Sequence, residues 1–259
     1  MQNSMNIHLS THSNLTYSAS DYSDAYRHVK RSKILTGVAR IMPEILSPVQ
    51  RRLEAVQDVI YFGSETGPVS IKQAVGLTQG QATSGQLYSL GIHPLNEELS
   101  ALAHQHEPGI LSAYIDDVKA HSESELIAGI IAVQQSKGPD FGAKLNMNKH
   151  RILLQSCLDD NRAVLLQSHF HDTFQIPRHR IHIHPDNISD PADKANAKLH
   201  YGDVILGIPA SPFAEFIDAF VSNQVEEISA EWRLASHHLR DEPHHLWYLL
   251  KHILASKFT

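Results

Sequence analysis

The stretch Ala113-Tyr114-Ile115-Asp116-Asp117-Val118 places two adjacent acidic residues at the end of an apolar run that begins at Ile110. The pattern predicts a strand, a tight turn bearing Asp116 and Asp117, and a return strand through Val118. Adjacent carboxylates repel each other, and a bound divalent cation is the usual reason for keeping them together. A solvated turn without function is the alternative, and this stretch alone does not separate the two.

The composition indicates a soluble globular protein, with 42% hydrophobic and 19% charged residues in a chain of 259. No apolar run approaches the roughly 18–20 residues that span a bilayer, so we expect no membrane partner. The N-terminal region lacks the basic start and apolar core of a signal peptide. Cys157 is the single cysteine, which excludes an internal disulfide and a cysteine-based zinc site and favours an intracellular protein.

The charge balance counts against a protein that holds a polyanion unaided, because the formal net charge is −6. Basic clusters do occur, at 28–33, 51–52 and 149–151. Such clusters are usually solvated faces. Nucleic-acid binding therefore has to be argued from other features of the chain.

The pattern of apolar residues, turns and caps predicts a mixed order of helices and strands. We expect a disordered N-terminus over 1–14, a mixed α+β core over 15–210 and a helical segment over 211–259. Ser122 and Glu125 form a predicted capping box for a helix that ends before Gly138-Pro139. Predicted strands cover 15–20, 59–62, 69–71, 144–146, 151–154, 180–184 and 201–208; predicted helices cover 29–41, 43–57, 86–106, 159–174, 213–239 and 243–256.

Five short sequence blocks follow one another along the chain, and their order is informative. They are Asp21-Tyr22-Ser23-Asp24-Ala25-Tyr26, Gly76-Leu77-Thr78-Gln79-Gly80, Tyr114-Ile115-Asp116-Asp117, Leu145-Asn146-Met147-Asn148-Lys149 and Leu206-Gly207. In this order and at these separations they resemble the palm of a reverse transcriptase of a retrotransposon. The resemblance implies an α+β palm, an antiparallel sheet backed by helices, over 15–210. It implies a partial helical thumb over 211–259.

The resemblance also implies an activity, RNA-directed DNA polymerisation by two-metal nucleotidyl transfer. The cofactor would be Mg²⁺ or Mn²⁺, and the partners would be dNTPs and an RNA template with a DNA primer. Two-metal chemistry needs carboxylates from separate strands at one edge of a sheet. Asp21, Asp116 and Asp117 match the metal-binding catalytic acids, and Lys149 matches a lysine that donates a proton to the departing pyrophosphate.

The remaining site residues are carried over from the same resemblance as substrate contacts. Tyr26 would block a ribose 2′-hydroxyl and so favour dNTPs, and the backbone carbonyl of Tyr22 would supply a further oxygen. Gln79 and Gly80 would pack against the template base and the incoming nucleotide, with Tyr114 beside the acids. The residues after Gly80 depart from the family's usual Asp-Pro. Taken singly, Asp21 could be a helix cap, Tyr26 a core aromatic and Lys149 a solvated turn residue.

Only 20 residues precede Asp21, so we expect the fingers of this family to be missing, and the chain has no length for an RNase H or endonuclease domain. The expectation is a truncated fragment with impaired activity. Two other hypotheses stay open: a catalytically inactive remnant or interaction module, and an unrelated α+β protein whose acids are solvated turns. His182 and His184, on one face of a predicted strand, are also a conceivable metal pair.

Overall fold

The structure is a computed structural model that describes residues 12, 14–54, 57–61, 69–73, 75–78, 81–156, 158–205, 208–239, 242 and 244. Its contacts divide the chain into two units, Met1–Ala197 and Lys198–Thr259. The predicted disordered N-terminus, Gln79, Gly80, the Leu206-Gly207 pair and the predicted helix over 243–256 lie, apart from isolated residues, outside the described part. The predicted domain bounds stay a prediction.

Eight α-helices are described in the structure. They are α1 (Ala25–His28), α2 (Arg31–Ile41), α3 (Leu46–Glu54), α4 (Ser84–Ala103), α5 (Ser124–Phe141), α6 (Asp160–Phe174), α7 (Pro191–His200) and α8 (Ala214–His238). Three short 3₁₀ turns lie at Pro43–Ile45, Arg178–Arg180 and Pro185–Asn187. Within the described ranges, no helix is long and apolar enough to cross a membrane.

Ten strands lie in the described ranges. They are β1 (Thr16–Ser23), β2 (Gln57–Tyr61), β3 (Val69–Gln73), β4 (Ile110–Tyr114), β5 (Asp117–Ser122), β6 (Lys144–Leu145), β7 (Arg151–Leu153), β8 (Ile181–His182), β9 (Asp203–Ile205) and β10 (Ile208–Ala210). The main sheet has six strands in the order β4-β5-β1-β7-β8, with β6 pairing the end of β1. All its pairs are antiparallel except β7 with β8.

The central strand β1 is buried along most of its length, and its sequence explains how both faces are covered. Between its two tyrosines, Tyr17 and Tyr22, β1 carries the small residues 18–20, so neighbouring elements can approach closely. Ser20 donates a hydrogen bond to Gln134 of α5 at 3.1 Å, and Gln134 donates one to the hydroxyl of Tyr22 at 3.1 Å. These bonds satisfy polar groups that burial would otherwise penalise.

The core of the first unit forms where α4 and α5 pack against each other, with α4 also against α2 and α5 against β1 and β5. Leu99, Ile34, Ile127 and Ile131 are fully buried there. Helices α2 and α4 cross closely at Gly37, where a Cβ atom would lie 2.0 Å from the carbonyl oxygen of Leu90. Any larger residue at this position would force the two helices apart.

The predicted α+β fold with an antiparallel sheet and helices is confirmed, and so is the hairpin of β4 and β5. Asp159 caps α6, accepting a hydrogen bond from the backbone N–H of Arg162 at 2.7 Å, as the predicted helix over 159–174 requires. The turn itself differs from the prediction. It holds Ile115 and Asp116, while Asp117 is the first residue of β5.

The predicted capping box at Ser122 is wrong. Ser122 belongs to β5 and donates its hydroxyl to the carbonyl of Ala103 at 3.1 Å. Helix α5 also continues through Pro139 to Phe141, because Gly142 in the left-handed conformation (φ 79°) ends it. Proline near a helix end displaces few hydrogen bonds, so it did not stop the helix earlier.

Two other predicted strands are shorter than expected. The predicted strand over 180–184 is reduced to Ile181–His182, because 3₁₀ turns flank it on both sides. The predicted strand over 201–208 is replaced by β9 and β10, an antiparallel pair in which Ile205 is opposite Ile208. Gly202 of this second unit lies against the ring of Phe216, where a Cβ would come within 2.6 Å of the ring.

Candidate active site

The acid of the first strand and the acids of the hairpin lie together in the structure. In the antiparallel pairing of β1 with β5, Asp21 is directly opposite Asp117. Residues opposite each other in such a pair have Cα atoms about 4.5–5.5 Å apart. On the other side of β5, Asp117 is opposite Tyr114 of β4. Residues from two strands that are distant in sequence are therefore adjacent at one end of the sheet.

The hairpin turn between β4 and β5 has an unusual backbone. Ile115 adopts a φ of 54°, the left-handed region that glycine or asparagine usually occupies in tight hairpin turns. A β-branched residue in this conformation costs on the order of 1–3 kcal/mol, and such residues cluster at functional sites. The side chain of Ile115 packs against the core, which helps to hold the turn and therefore the position of Asp116.

A cavity of about 420 Å³ opens beside these acids. Asp21 and Asp116 both contribute to its wall, whereas Asp117 and Tyr114 do not. Arg27 and Lys149 bring positive charge to the same wall. The full lining is Asp21, Tyr22, Ser23, Asp24, Ala25, Tyr26, Arg27, Asp116, Asn146 and Lys149.

The electrostatics of the cavity are those of crowded carboxylates. Partial burial raises the pKa of the Asp116 carboxyl above its ordinary value, and the nearby Asp117 and Asp21 carboxylates raise it further. A backbone hydrogen bond and Lys149 act in the opposite direction. The negative charge at this point of the sheet is thus only partly compensated by the protein itself.

Lys149 provides the nearest compensating charge. Its Nζ lies 3.1 Å from Oδ2 of Asp21, and its pKa is raised above the ordinary value, first by this hydrogen bond and then by the charge of Asp21. The side chain of Lys149 is 65% exposed and that of Asp21 is 21% exposed. The loop of Lys149 is anchored to β1, because the backbone N–H of Asn146 donates to the carbonyl of Asp21 at 2.8 Å.

Tyr26 forms another part of the cavity wall and is half-buried. Burial raises the pKa of its hydroxyl, and Asp116 and Tyr114 raise it further. The backbone carbonyl of Tyr26 accepts a hydrogen bond from Leu77 at 2.6 Å. The segment that leads to Gln79 and Gly80 therefore runs beside Tyr26, although those two residues lie outside the described part.

Tyr22 has a structural side chain. It is 1% exposed, and burial raises the pKa of its hydroxyl to about 12. The ring therefore belongs to the core, and the predicted contribution of Tyr22 to the site is limited to its backbone carbonyl, which stays a prediction.

The described residues hold no group of three or more histidine, cysteine, aspartate or glutamate side chains arranged to hold a metal ion. Asp21, Asp116 and Asp117 are neighbours without forming such a group. The predicted histidine pair is not part of one either. His184 is buried, and its Nδ1 accepts a hydrogen bond from the backbone N–H of Asp186 at 3.2 Å.

Five residues of the cavity wall were not named as site residues from the sequence: Ser23, Asp24, Ala25, Arg27 and Asn146. Arg27 alone among them lies outside the sequence blocks quoted above. Arg27 directly follows Tyr26, and a cation next to an acidic block is a signal that could have indicated it. Asn146 lies inside the block that ends at Lys149, but the neutral amide carries no charge pattern that distinguishes it. Its role here depends on the hydrogen bond to β1, which only the structure shows.

Comparison with known proteins finds no matching family model and no matching curated protein. Among solved structures, the chain is similar to apo telomerase from Candida tropicalis truncated from its C-terminal domain, with 15% identity over 53% of this chain and 30% of that chain and a TM-score of 0.43. A second structure of apo telomerase from Candida tropicalis gives 13% identity, 56% and 29% coverage and a TM-score of 0.41.

Telomerase from Candida albicans, in complex with a fragment of telomeric RNA, gives 8% identity, 62% and 31% coverage and a TM-score of 0.39. The chain thus spans about 30% of the length of the solved chains that it resembles. Similarity of this degree assigns neither a family nor an activity to the chain.

Proposed function

We propose that the chain is the nucleotidyl-transfer domain of a retroelement-type reverse transcriptase, which extends a DNA primer on an RNA template with dNTPs. One observation carries this proposal. Asp21 of β1 and Asp116 of the hairpin turn share one cavity with Tyr26 and Lys149. An acidic turn alone would be a solvated feature, but an acid from a second strand in the same cavity suits metal-assisted nucleotidyl transfer. The aromatic wall and the lysine fit the roles that the resemblance implies for them.

The donor set suits a hard divalent cation. Magnesium in proteins commonly keeps several waters and is bound by one or two carboxylates together with substrate phosphates. Asp21 and Asp116 would be those carboxylates, and the raised pKa of Asp116 reflects negative charge that a cation would offset. Asp117 does not line the cavity, so its predicted part in metal binding would require its side chain to turn.

A bound Mg²⁺ or Mn²⁺ would supply charge stabilisation at the reacting oxygens and would lower the pKa of the primer hydroxyl. The remaining steps are the attack of the primer, the departure of pyrophosphate and the proton transfer from Lys149. The 3′-oxygen bonds to the α-phosphorus and loses its proton to water, while the bond from the α-phosphorus to the bridging oxygen breaks. The electron pair leaves with pyrophosphate, and Nζ of Lys149 donates a proton to it.

Selection of the nucleotide would depend on Tyr26, whose ring forms part of the cavity wall. A ribose 2′-hydroxyl directed at this ring would meet an aromatic surface that leaves it without a hydrogen-bond partner. Burying an unpaired hydroxyl costs about 1–3 kcal/mol, in addition to any steric conflict. Arg27, on the same wall, could hold phosphate oxygens.

Primer extension tests the proposal directly. The assay uses an RNA template, a DNA primer, dNTPs and Mg²⁺ or Mn²⁺, at low ionic strength because the net charge of −6 weakens binding to nucleic acid. We expect weak but measurable extension by the natural chain, in line with the impaired activity expected from the sequence, and none by Asp21→Asn or Asp116→Asn. The matched control is Asp172→Asn, on an aspartate whose side chain is 68% exposed, and it should extend normally. No extension by the natural chain, or equal extension by Asp116→Asn, would contradict the proposal.

A second candidate function is nucleotide binding without catalysis. It is favoured by two observations: the described acids do not form a three-residue metal group, and Lys149 already pairs with Asp21. Calorimetric titration with Mn²⁺ separates the two functions. Heat of binding that disappears in Asp116→Asn supports the polymerase, and its absence in the natural chain supports the binding module.

A further inference from the structure

Tyr26 is held from behind by one face of helix α4. The ring of Tyr88 lies against the ring of Tyr26, with centroids 5.5 Å apart and planes tilted by 42°. Tilted aromatic pairs at this separation contribute about 0.5–1.5 kcal/mol beyond their buried area. Tyr88 does not line the cavity, so α4 lies behind the Tyr26 ring as seen from the cavity.

The hydroxyl end of Tyr26 lies beside the same helix, near Gly85. At Gly85, an added Cβ would lie 3.5 Å from the Tyr26 hydroxyl and 3.7 Å from Cδ1 of Ile115. Gly85 and Tyr88 are three residues apart on a helix and therefore share a face. An alanine would fit at Gly85 in ordinary contact, but a longer side chain would press on Tyr26 and on the turn that carries Asp116.

Tyr88 itself is an unusual core residue. It is 1% exposed, and its hydroxyl has no hydrogen-bond partner in the described part of the chain. Burial raises the pKa of this hydroxyl strongly, and the charges of Asp116 and Asp21 contribute to the shift. The Tyr88 hydroxyl is thus close enough to Asp116 and Asp21 to be affected by their charges, and the Tyr88 ring packs against Tyr26.

We propose that Gly85 and Tyr88 of α4 are positioning residues, which seat Tyr26 at one depth in the cavity and thereby set how strongly the site rejects ribonucleotides. This proposal rests on the proposed polymerase function. It assigns a role to the residues that lie behind the Tyr26 ring. The two positions act in opposite directions. Removing the Tyr88 ring lets Tyr26 retreat from the cavity, and adding bulk at Gly85 pushes Tyr26 into it.

The test compares kcat/KM for a dNTP and for the matching rNTP in primer extension. Tyr88→Leu should lower the ratio of the two by about 10- to 100-fold, since displacement of a contact by 1 Å can change a rate about 100-fold. Gly85→Leu should raise the KM for the dNTP and raise the ratio above that of the natural chain, and Gly85→Ala should match the natural chain. A general loss of stability would lower kcat/KM for the dNTP and for the rNTP by the same factor and would leave their ratio unchanged.

Matched controls separate positioning from bulk effects elsewhere. Phe170→Leu removes a fully buried ring from α6, and Gly129→Leu adds the same bulk to α5 where a Cβ meets nothing within 4 Å. Both controls should keep the natural dNTP to rNTP ratio. An unchanged ratio in Tyr88→Leu, or the same change in Phe170→Leu, would overturn the proposal.

A second measurement works without catalysis. Fluorotyrosine placed at Tyr26 reports the ring's surroundings through its ¹⁹F chemical shift. The shift should change in Tyr88→Leu and in Gly85→Leu but not in Phe170→Leu or Gly129→Leu. If the natural chain extends no primer, the polymerase proposal fails, while an unchanged ¹⁹F shift in the two α4 variants would still overturn the positioning role by itself.

Discussion

Acidification should destabilise this protein through His150, the residue that follows Lys149. His150 is 0% exposed, and its Nε2 is hydrogen-bonded to the hydroxyl of Ser18 in β1 at 3.0 Å. Its Nδ1 has no partner among the described residues. Burial lowers the pKa of this imidazole from 6.5 to about 3, and the charge of Lys119 adds to the effect. A protonated ring at this place would be a buried charge without a counter-ion.

The direction of the pH effect on stability follows from the pKa values of His150 in the folded and unfolded chains. The unfolded chain binds a proton at His150 near pH 6.5 while the folded chain stays neutral down to about 3, so the stabilisation is present above pH 6.5 and is lost as the pH falls. Each unit corresponds to about 1.4 kcal/mol, so the loss is about 3 kcal/mol by pH 4.5. That is a large part of the roughly 5–15 kcal/mol that stabilises a typical domain.

Urea unfolding at a series of pH values from 7.5 to about 4.5 measures this loss. His150→Gln keeps a group that can hydrogen-bond Ser18 and never carries a charge, so its free energy of unfolding should fall by about 3 kcal/mol less than that of the natural chain. His104→Gln, at an exposed position, serves as the control and should follow the natural chain. Parallel curves for the natural chain and His150→Gln would refute the reasoning.

Four further predictions concern the candidate site and the core beside it. Tyr88→Phe removes a buried hydroxyl without a partner and should raise the free energy of unfolding by about 1 kcal/mol, whereas Tyr22→Phe leaves the amide of Gln134 unpaired and should lower it by about 1–3 kcal/mol, as measured by urea unfolding. Asp116→Asn should raise the Tm, because it relieves the repulsion of Asp116 by Asp117 and Asp21, and it should abolish primer extension, because it removes a proposed catalytic acid. An unchanged or lower Tm would contradict the first expectation. Lys149→Met should lower kcat by about 10²–10⁴-fold with little change in KM, as removal of a general acid does, and single-turnover rates across pH check it.

The hairpin shows how far the sequence leads. An apolar run before two acids predicts two strands and a turn, and the structure has β4 and β5 there. The pattern does not reveal which residues form the turn, because this depends on whether Ile115 accepts a left-handed φ. A shift of one residue decides which acid lines the cavity. Asp116 does, and Asp117 is instead a strand residue.

The meeting of Asp21 with the hairpin was predictable only through the order of the sequence blocks. Nothing in the local pattern around β1 says which strand it pairs with, since register between distant strands depends on burial over the whole sheet. The structure pairs Asp21 with Asp117 through a register in which Thr16 is opposite Ser122. The strand also extends to Ser23, beyond the predicted end at 20, because β6 pairs with its last two residues.

The support from α4 was beyond the reach of sequence patterns. Gly85 and Tyr88 fit an ordinary buried helix face, and helical spacing alone cannot indicate that Tyr26 rests on them. The long-range hydrogen bonds of Gln134 are equally unpredictable from the sequence, since a glutamine on a helix is usually a surface residue. These contacts depend on how helices cross the sheet, which single-sequence periodicity does not encode.

The place of β1 in the middle of the sheet has a consequence for biosynthesis. Its partners β5 and β7 follow it by about 100 residues or more, which at the usual rate of about 5–20 residues per second means a delay of roughly 5–20 s on the ribosome. During that time a strand built to be covered on both edges has unpaired backbone groups, the type of surface on which chaperones act and aggregation begins. The nascent chain should therefore be most vulnerable before residue 153 emerges, and slower translation between β1 and β5 would lengthen this period rather than help folding.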